Sequence, residues 1–288
     1  MKIAIVGNCQ ARTIHRAMVA LAPNHEFELY HMNRIQRACP VRDDIESWAS
    51  EVALSDVACL INYLPKSGLF SEAALLPRCK HVVRFPYIAF TGFHPDCVYL
   101  TANGTQLTGP AGPYHSAIVF AAWSLGIPEH YVPSLFNRFT FKSLNLQAFY
   151  DAAVAKQGSE WSALGYNFSE FLSLNRSFMH TVNHPAVDIL IDTARQALRH
   201  IGIQPTEVDI DVEDELSEAV IWPVYDGLLK DVNSSPNFMI EGKEVPLRDF
   251  VTNSYQAYED HRGVTIDGHG VEAAKQFLTE HYVYAAKV

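Results

Sequence analysis

The chain has 288 residues, 48% hydrophobic and 19% charged, enough for one large domain or two small ones around a substantial core. Its 22 basic and 32 acidic residues give a formal net charge of −10, which argues against non-specific binding to nucleic acid or an anionic membrane surface. No window approaches 18 consecutive apolar residues, and the first residues enter a strand without the basic region and apolar core of a secretory signal. No transmembrane segment is therefore expected, and the reading is of a cytoplasmic protein. The five cysteines, at 9, 39, 59, 79 and 97, are widely spaced and form no Cys-x-x-Cys pair. Reduced thiols are expected, with neither a disulfide framework nor a metal site.

The predicted elements begin with Lys2 to Val6, a short apolar, β-branched run that reads as a buried strand. Gly7 and Asn8 break it. From Ala11 the apolar residues Ile14, Ala17, Met18 and Leu21 recur at helical spacing. Further elements follow as strand 26–31, helix 41–53, strand 57–62, helix 69–76 and strand 80–85, each approximate at its ends. A short strand at Val98–Leu100 is also possible. This alternation predicts a parallel, Rossmann-like sheet covered by helices on both faces. After Tyr114 the pattern becomes mainly helical, with helices expected near 116–125, 143–157, 168–175, 186–201 and 271–281. Residues 204–218 are acidic and read as an exposed loop or short helix. The fold class is thus α/β, with a parallel α/β part over residues 1–105 and a mostly helical part over 106–288 that completes the site. The role of residues 204–288 is not legible at this stage.

Candidate chemistry clusters at predicted strand ends, where ligands bind in an open parallel sheet. Cys9 lies on the turn from the first strand to the first helix, in Gly7-Asn8-Cys9-Gln10. A helix N-terminus favours negative charge and would lower the pKa of a thiol placed there, so Cys9 reads as a nucleophile or anion-site residue. A small cysteine packing the turn is the plainer alternative. The segment Arg84-Phe85-Pro86-Tyr87-Ile88-Ala89-Phe90-Thr91-Gly92-Phe93-His94-Pro95-Asp96 leaves the fourth strand on the same edge. His94 is the candidate acid/base partner of Cys9, with Asp96 a weaker candidate to orient it. The alternative is that His94 bonds within its own loop.

Phe178-Met179-His180-Thr181-Val182-Asn183-His184-Pro185 offers His180, Asn183 and His184 to substrate hydroxyls. In Gly109-Pro110-Ala111-Gly112-Pro113-Tyr114-His115-Ser116, His115 and Ser116 lead into a helix whose N-terminus could receive a phosphate or carboxylate. Ordinary helix-entry chemistry accounts for both stretches equally well. Arg34, Lys66 and Arg84 follow or end the second, third and fourth strands and form a candidate cationic rim. Asn8, Gln10 and Tyr87 complete the candidate binding set. The first loop carries neither a Gly-x-Gly-x-x-Gly fingerprint nor the Gly-Lys-Ser/Thr end of a phosphate loop. It looks more like the first-strand turn of SGNH-type esterases, with Gly-Asn-Cys in place of Gly-Asp-Ser and without their terminal Asp-x-x-His.

Three segments together resemble the WcbI-like polysaccharide biosynthesis family. They are Gly7-Asn8-Cys9-Gln10, the Arg84…Pro86…Gly92-Phe93-His94-Pro95-Asp96 stretch, and Asn183-His184-Pro185. The likeness runs loosely from residue 1 to about 200. It implies a coenzyme A-binding acetyltransferase acting on a sugar of a bacterial capsular polysaccharide, with acetyl-coenzyme A as donor and a sugar or glycan as acceptor. Cys9 and His94 occupy the matching motif positions. Two other readings stand beside it: an SGNH-like thiol or ester hydrolase, and a non-catalytic ligand-binding protein of glycan assembly.

Overall fold

The computed structural model describes residues 1–32, 42–174, 176–229, 237–262 and 265–283. The strands are β1 Lys2–Gly7, β2 Glu26–His31, β3 Val57–Ile61, β4 Val82–Phe85, β5 Cys97–Val98, β6 Leu100–Ala102, β7 Thr105–Gln106, β8 His115–Ser116, β9 Met179–Thr181, β10 His184–Pro185, β11 Val220–Ile221, β12 Phe238–Ile240, β13 Lys243–Val245 and β14 Ile266–Gly268. The helices are α1 Cys9–Leu21, α2 Arg42–Leu54, α3 Glu72–Leu75, α4 Ala117–Ser124, α5 Arg138–Ser143, α6 Gln147–Ala163, α7 Val187–His200, α8 Leu247–Glu259 and α9 Val271–Leu278. The chain forms two compact units that are not consecutive in sequence. One comprises Met1–Ile88, Gln157–Phe171 and His184–Leu216; the other comprises Ala89–Lys156, Leu172–Asn183 and Ser217–Val288. The sequence reading cuts the chain once, near residue 105. In the structure the chain leaves the first unit at Ile88 and returns to it twice, the second time to supply α7.

The first unit is built on a four-stranded sheet in the order β2-β1-β3-β4, parallel throughout. Ile3, Ala4, Ile5 and Val6 are fully buried, as expected of a central strand covered on both faces. Ala4 and Val6 share a core with Ala58 and Leu60 of β3, Ala49 and Val52 of α2 and Leu75 of α3. Successive side chains of a strand face opposite ways, so Ile3 and Ile5 point to the other face, where α1 packs on β1 and β2 and α7 packs on α1 and β4. The strand order reverses between β1 and β3: the chain leaves β1 towards β2, then crosses to β3 and β4. The carboxyl ends of β1 and β3 thus form the switch point at which open parallel sheets generally bind ligands.

The second unit surrounds α4, in which Ala117 to Trp123 are all buried, the pattern of a helix apolar on every side. Its core joins α4 to Trp222, Phe238, Phe250, Tyr258, Val271 and Phe277. Three small antiparallel sheets complete it, ordered β11-β12-β13, β14-β6-β7 and β5-β8. The strand expected at Val98–Leu100 is thus divided between β5 and β6, with antiparallel partners outside the parallel sheet. Two hairpins and α8 were not read from the sequence. The first hairpin turns on Asn103-Gly104, with φ of 52° and 77°, the two-residue loop that twisted strands favour. The helix expected at 168–175 is a short 3-10 turn, Ser169–Ser173.

Candidate functional site

In the first unit, Gly7 ends β1 and permits the close approach of helix and strand. A Cβ there would lie 2.7 Å from the Cβ of Ala11 and 3.2 Å from that of Ile61. Asn8 is the N-cap of α1; its side-chain oxygen accepts from the Gln10 backbone N–H at 3.1 Å. Cys9 is the first helical residue and is half-buried, on the turn that follows β1 at the reversal of strand order. Burial pushes its thiol above the ordinary cysteine value. The backbone N–H groups of Gln10 and Cys9 and the charge of Arg12 pull the other way and are outweighed. The depressed thiol expected from the helix N-terminus is therefore corrected: desolvation of the thiolate is the larger effect.

Gln10 is fully buried, and both ends of its amide hold one residue. Nε2 donates to the Ile88 carbonyl at 2.8 Å, and the Ile88 N–H donates to Oε1 at 3.1 Å. This clamp ties the segment after β4 to the start of α1. Tyr87, next to the clamp, stacks on Tyr63 from the segment after β3, with ring centroids 4.7 Å apart and planes 20° apart. Lys66 is exposed on that same segment. Arg84 is exposed but pairs with Glu72 at the start of α3, which offsets its charge. Arg34 lies outside the described residues. Of the expected cationic rim, then, Lys66 alone is placed on a loop at the ligand edge, and Arg84 serves a surface ion pair.

In the second unit, the segment from Phe90 to Asp96 is almost wholly interior. Phe90 and Phe93 pack on Phe178 with centroids 4.9 and 4.8 Å apart. Gly92 allows this packing, since a Cβ there would meet the Tyr150 backbone at 2.8 Å. His94 has no exposed surface; Nε2 lies 3.2 Å from the Met179 carbonyl and Nδ1 3.4 Å from the Pro223 carbonyl. A neutral imidazole has one N–H and can donate to one of them; the second nitrogen faces an acceptor. Protonation would satisfy both, yet burial holds the ring's pKa down to about 4. Asp96 is hydrogen-bonded to Ile118 and Tyr225 and not to the His94 ring; it serves α4. Its Oδ1 accepts from the Ile118 N–H at 2.9 Å and its Oδ2 from Tyr225 at 3.2 Å, while Trp222 donates to Tyr225 at 3.1 Å. Burial raises its pKa to about 7 against the pull of these donors.

The α4 N-terminus, expected to receive a phosphate, is occupied by the protein's own groups. Ser116 caps it, accepting from Val119 at 3.0 Å, and the Asp96 carboxylate sits beside it. His115 is buried with Nδ1 3.0 Å from the Tyr258 hydroxyl and Nε2 3.3 Å from the Leu107 carbonyl. One neutral tautomer satisfies both contacts: Nε2–H donates and Nδ1 accepts. Asn183 accepts from Tyr114 at 2.7 Å and from Thr181 at 3.3 Å. His180 and His184 are half-buried. Their His-x-x-x-His spacing spans a turn instead of a helix, and among the described residues no group of three His, Cys, Asp or Glu side chains could hold a metal.

A family model described as the polysaccharide biosynthesis enzyme WcbI matches residues 2–206. The chain belongs to the WcbI family. No curated protein matches the sequence. A solved structure of WcbI, a polysaccharide biosynthesis enzyme, aligns over 99% of this chain and 97% of its own, with TM-score 0.70 and 12% identity. That protein is described as native, without a disulfide bond between coenzyme A and one of its cysteines. At that identity the likeness shows a shared fold. This WcbI-family chain is accordingly a polysaccharide biosynthesis enzyme of mixed α/β fold. No described helix is long and apolar enough to cross a membrane.

Within this WcbI fold, Tyr63, Tyr225, Trp222 and Tyr258 escaped the sequence reading. Tyr63 had a usable signal, an aromatic residue two positions beyond a buried strand end. The other three are reached only through tertiary contacts with Asp96 and His115.

Proposed function

We propose that this protein is a coenzyme A-dependent acyltransferase that acetylates a sugar hydroxyl of a surface polysaccharide such as a capsule, in the cytoplasm. The observation that carries the reading is the position of Cys9. It is half-buried at the first turn of α1, directly after β1, where the order of the parallel strands reverses. Cys59 and Cys97 are buried, Cys79 follows the short α3 away from the strand ends, and Cys39 lies outside the described residues. Cys9 is thus the cysteine proposed to meet the thiol end of coenzyme A; the structural relative is described as lacking a disulfide between coenzyme A and one of its own cysteines, which names the two groups as ones that can pair.

The state of the thiol bears on the route. Burial raises the Cys9 pKa, so the thiolate is scarcer than for a free cysteine and the thiol a weaker nucleophile. This favours direct attack of the sugar hydroxyl on acetyl-coenzyme A within a ternary complex, with Cys9 lining the thioester's seat. It also weighs against a thiol hydrolase. The acceptor hydroxyl must lose its proton to a base. His94 is committed to two carbonyls, and His115 to Tyr258 and Leu107. Among the histidines singled out in the sequence, His184 is half-buried and belongs to the same unit as Cys9, and it is the base proposed here. Lys66, exposed three residues beyond Tyr63 on the segment after β3, is the group proposed for the coenzyme A phosphates.

Thermal unfolding with coenzyme A and acetyl-coenzyme A tests the reading. Ligand at 100 times its dissociation constant adds about 2.7 kcal/mol of stability. Acetyl transfer to a glycan should follow sequential kinetics, with no acetyl adduct on Cys9 in the absence of acceptor. Absence of any thermal shift with either ligand would contradict coenzyme A dependence.

A further inference from the structure

Tyr63 is 67% exposed, the most exposed large aromatic side chain among the described residues, yet one face of its ring is covered by Tyr87 at a centroid distance of 4.7 Å. Two tyrosines stacked with the outer one open to solvent form a flat apolar surface edged by hydroxyls. Flexible surface loops do not hold such a pair without support, and here each member is anchored. The segment that carries Tyr63 is tied to the end of β4 by the Asn62 N–H, which donates to the Phe85 carbonyl at 2.8 Å. Tyr87 precedes Ile88, whose N–H and carbonyl are both held by the Gln10 side chain. Gln10 is also the immediate neighbour of Cys9. One buried amide therefore fixes the aromatic pair and the thiol in a common frame at one end of the sheet.

We infer that the Tyr63–Tyr87 stack is the seat of the acceptor's sugar ring, an aromatic platform for the C–H face of a pyranose. The inference rests on the acyltransferase reading for its choice of ligand. The alternative flat ligand is the adenine of coenzyme A, and distance decides between them. β3 adjoins β1, and β4 is one strand further, so the bases of the two tyrosine segments lie roughly 5 and 10 Å from that of the Cys9 turn. With its thiol end at Cys9, coenzyme A keeps adenine beyond the whole pantetheine arm and the pyrophosphate. The acceptor hydroxyl, by contrast, must reach the thioester itself. A ring platform this close to Cys9 suits the acceptor. Tyr and Trp supply such a surface at low entropic cost, since two torsions fix the ring.

The test is saturation-transfer NMR with the methyl glycosides of glucose, galactose, mannose and N-acetylglucosamine, on the wild type, Tyr63→Ala, Tyr63→Phe and Gln10→Ala, with coenzyme A and pantetheine affinities measured in parallel. Saturation is expected on the ring C–H protons of at least one glycoside. Tyr63→Ala should weaken that glycoside about tenfold, Tyr63→Phe should retain it, and Tyr63→Ala should leave coenzyme A affinity unchanged. Gln10→Ala should weaken both ligands. Tyr63 is exposed, so an unchanged melting temperature will show that its variants are folded. No saturation with any of the four glycosides while coenzyme A still binds would overturn the platform and leave the acyltransferase reading standing. Glycoside binding lost in Tyr63→Ala, in a protein that binds no coenzyme A, would keep the platform and sink that reading. Loss of coenzyme A affinity in Tyr63→Ala with pantetheine unaffected would assign the stack to adenine and overturn the proposal.

Discussion

The Gly7–Gln10 turn and the Gly92–Asp96 segment both collect unusual residues, and both begin with a glycine that a neighbouring group crowds. They differ in what surrounds their reactive side chain. Cys9 stands half-buried at the edge of the parallel sheet, where strand order reverses. His94 is sealed in the second unit with both ring nitrogens against carbonyls. A conspicuous residue in sequence can be a site or a strut, and burial with committed hydrogen bonds tells the two apart. The first stretch lies at the carboxyl edge of the parallel sheet, where the ligand is proposed; the second is packed inside its own unit.

The largest effect that would sharpen this contrast is on His94. His94→Ala removes a fully buried ring and strands the carbonyl that its single N–H serves, and should cost about 4 kcal/mol of stability by chemical denaturation. An unchanged unfolding midpoint together with lost turnover would instead make His94 catalytic and break the comparison. A second effect belongs to Asp96, whose folded pKa of about 7 lies above its ordinary value of 3.8. The folded state therefore prefers the protonated acid. Its stabilising contribution is fully present below pH 4 and is lost as pH rises through 7. The stability of the wild type minus that of Asp96→Asn should fall across this window, at roughly 1 kcal/mol per pH unit. His94, with its pKa lowered to about 4, acts in the opposite sense, contributing above pH 6.5 and losing that contribution as pH falls. A difference curve that rises with pH would contradict the burial of Asp96.

Gly7→Ala comes next. The added methyl would sit 2.7 Å from the Ala11 side chain, so α1 must shift, at a cost of about 2 kcal/mol. Coenzyme A affinity should fall as well, because the Cys9 turn moves with the helix. A variant as stable as the wild type would show that the turn is not packed as described. The smallest effect concerns Cys9 alone. Its alkylation by iodoacetamide should titrate above the value of an unperturbed thiol, in keeping with its burial, and Cys9→Ser should leave the melting temperature nearly unchanged. A midpoint below that value would restore the activated-thiolate reading.

Much of the first unit was legible because its signals are local. Ile3–Val6 and Val57–Ile61 are uninterrupted apolar runs, and α1 and α7 carry apolar stripes that end within a residue or two of the expected positions. The Asn103-Gly104 hairpin carried a plain turn signal that was passed over. Helix α8 was missed although Pro246 opens it and Phe250, Val251, Ser254 and Tyr258 line its buried face. Cys9 was placed correctly at the sheet edge, since a strand followed by a helix puts the turn there. Its pKa direction was not legible: helix dipole and desolvation oppose each other, and only the packed structure shows which is larger. The commitments of His94, Asp96 and His115 were hidden for a related reason. Pro223, Tyr225 and Tyr258 lie more than 120 positions away in sequence, and no periodicity encodes such pairings.

The account turns on Cys9 as the residue that meets the thiol end of coenzyme A. The most direct measurement is exchange with coenzyme A disulfide followed by peptide mapping. The Cys9 thiol should displace one coenzyme A as free thiol and retain the other in a mixed disulfide, adding one coenzyme A to the peptide that contains Cys9. Desulfo-coenzyme A, which lacks the thiol and cannot reverse the exchange, should protect when in excess, and Cys9→Ser should abolish the adduct. An adduct mapping to Cys79 or another cysteine with Cys9 unmodified, or one that excess desulfo-coenzyme A fails to suppress, would contradict the placement of the ligand at the β1 edge.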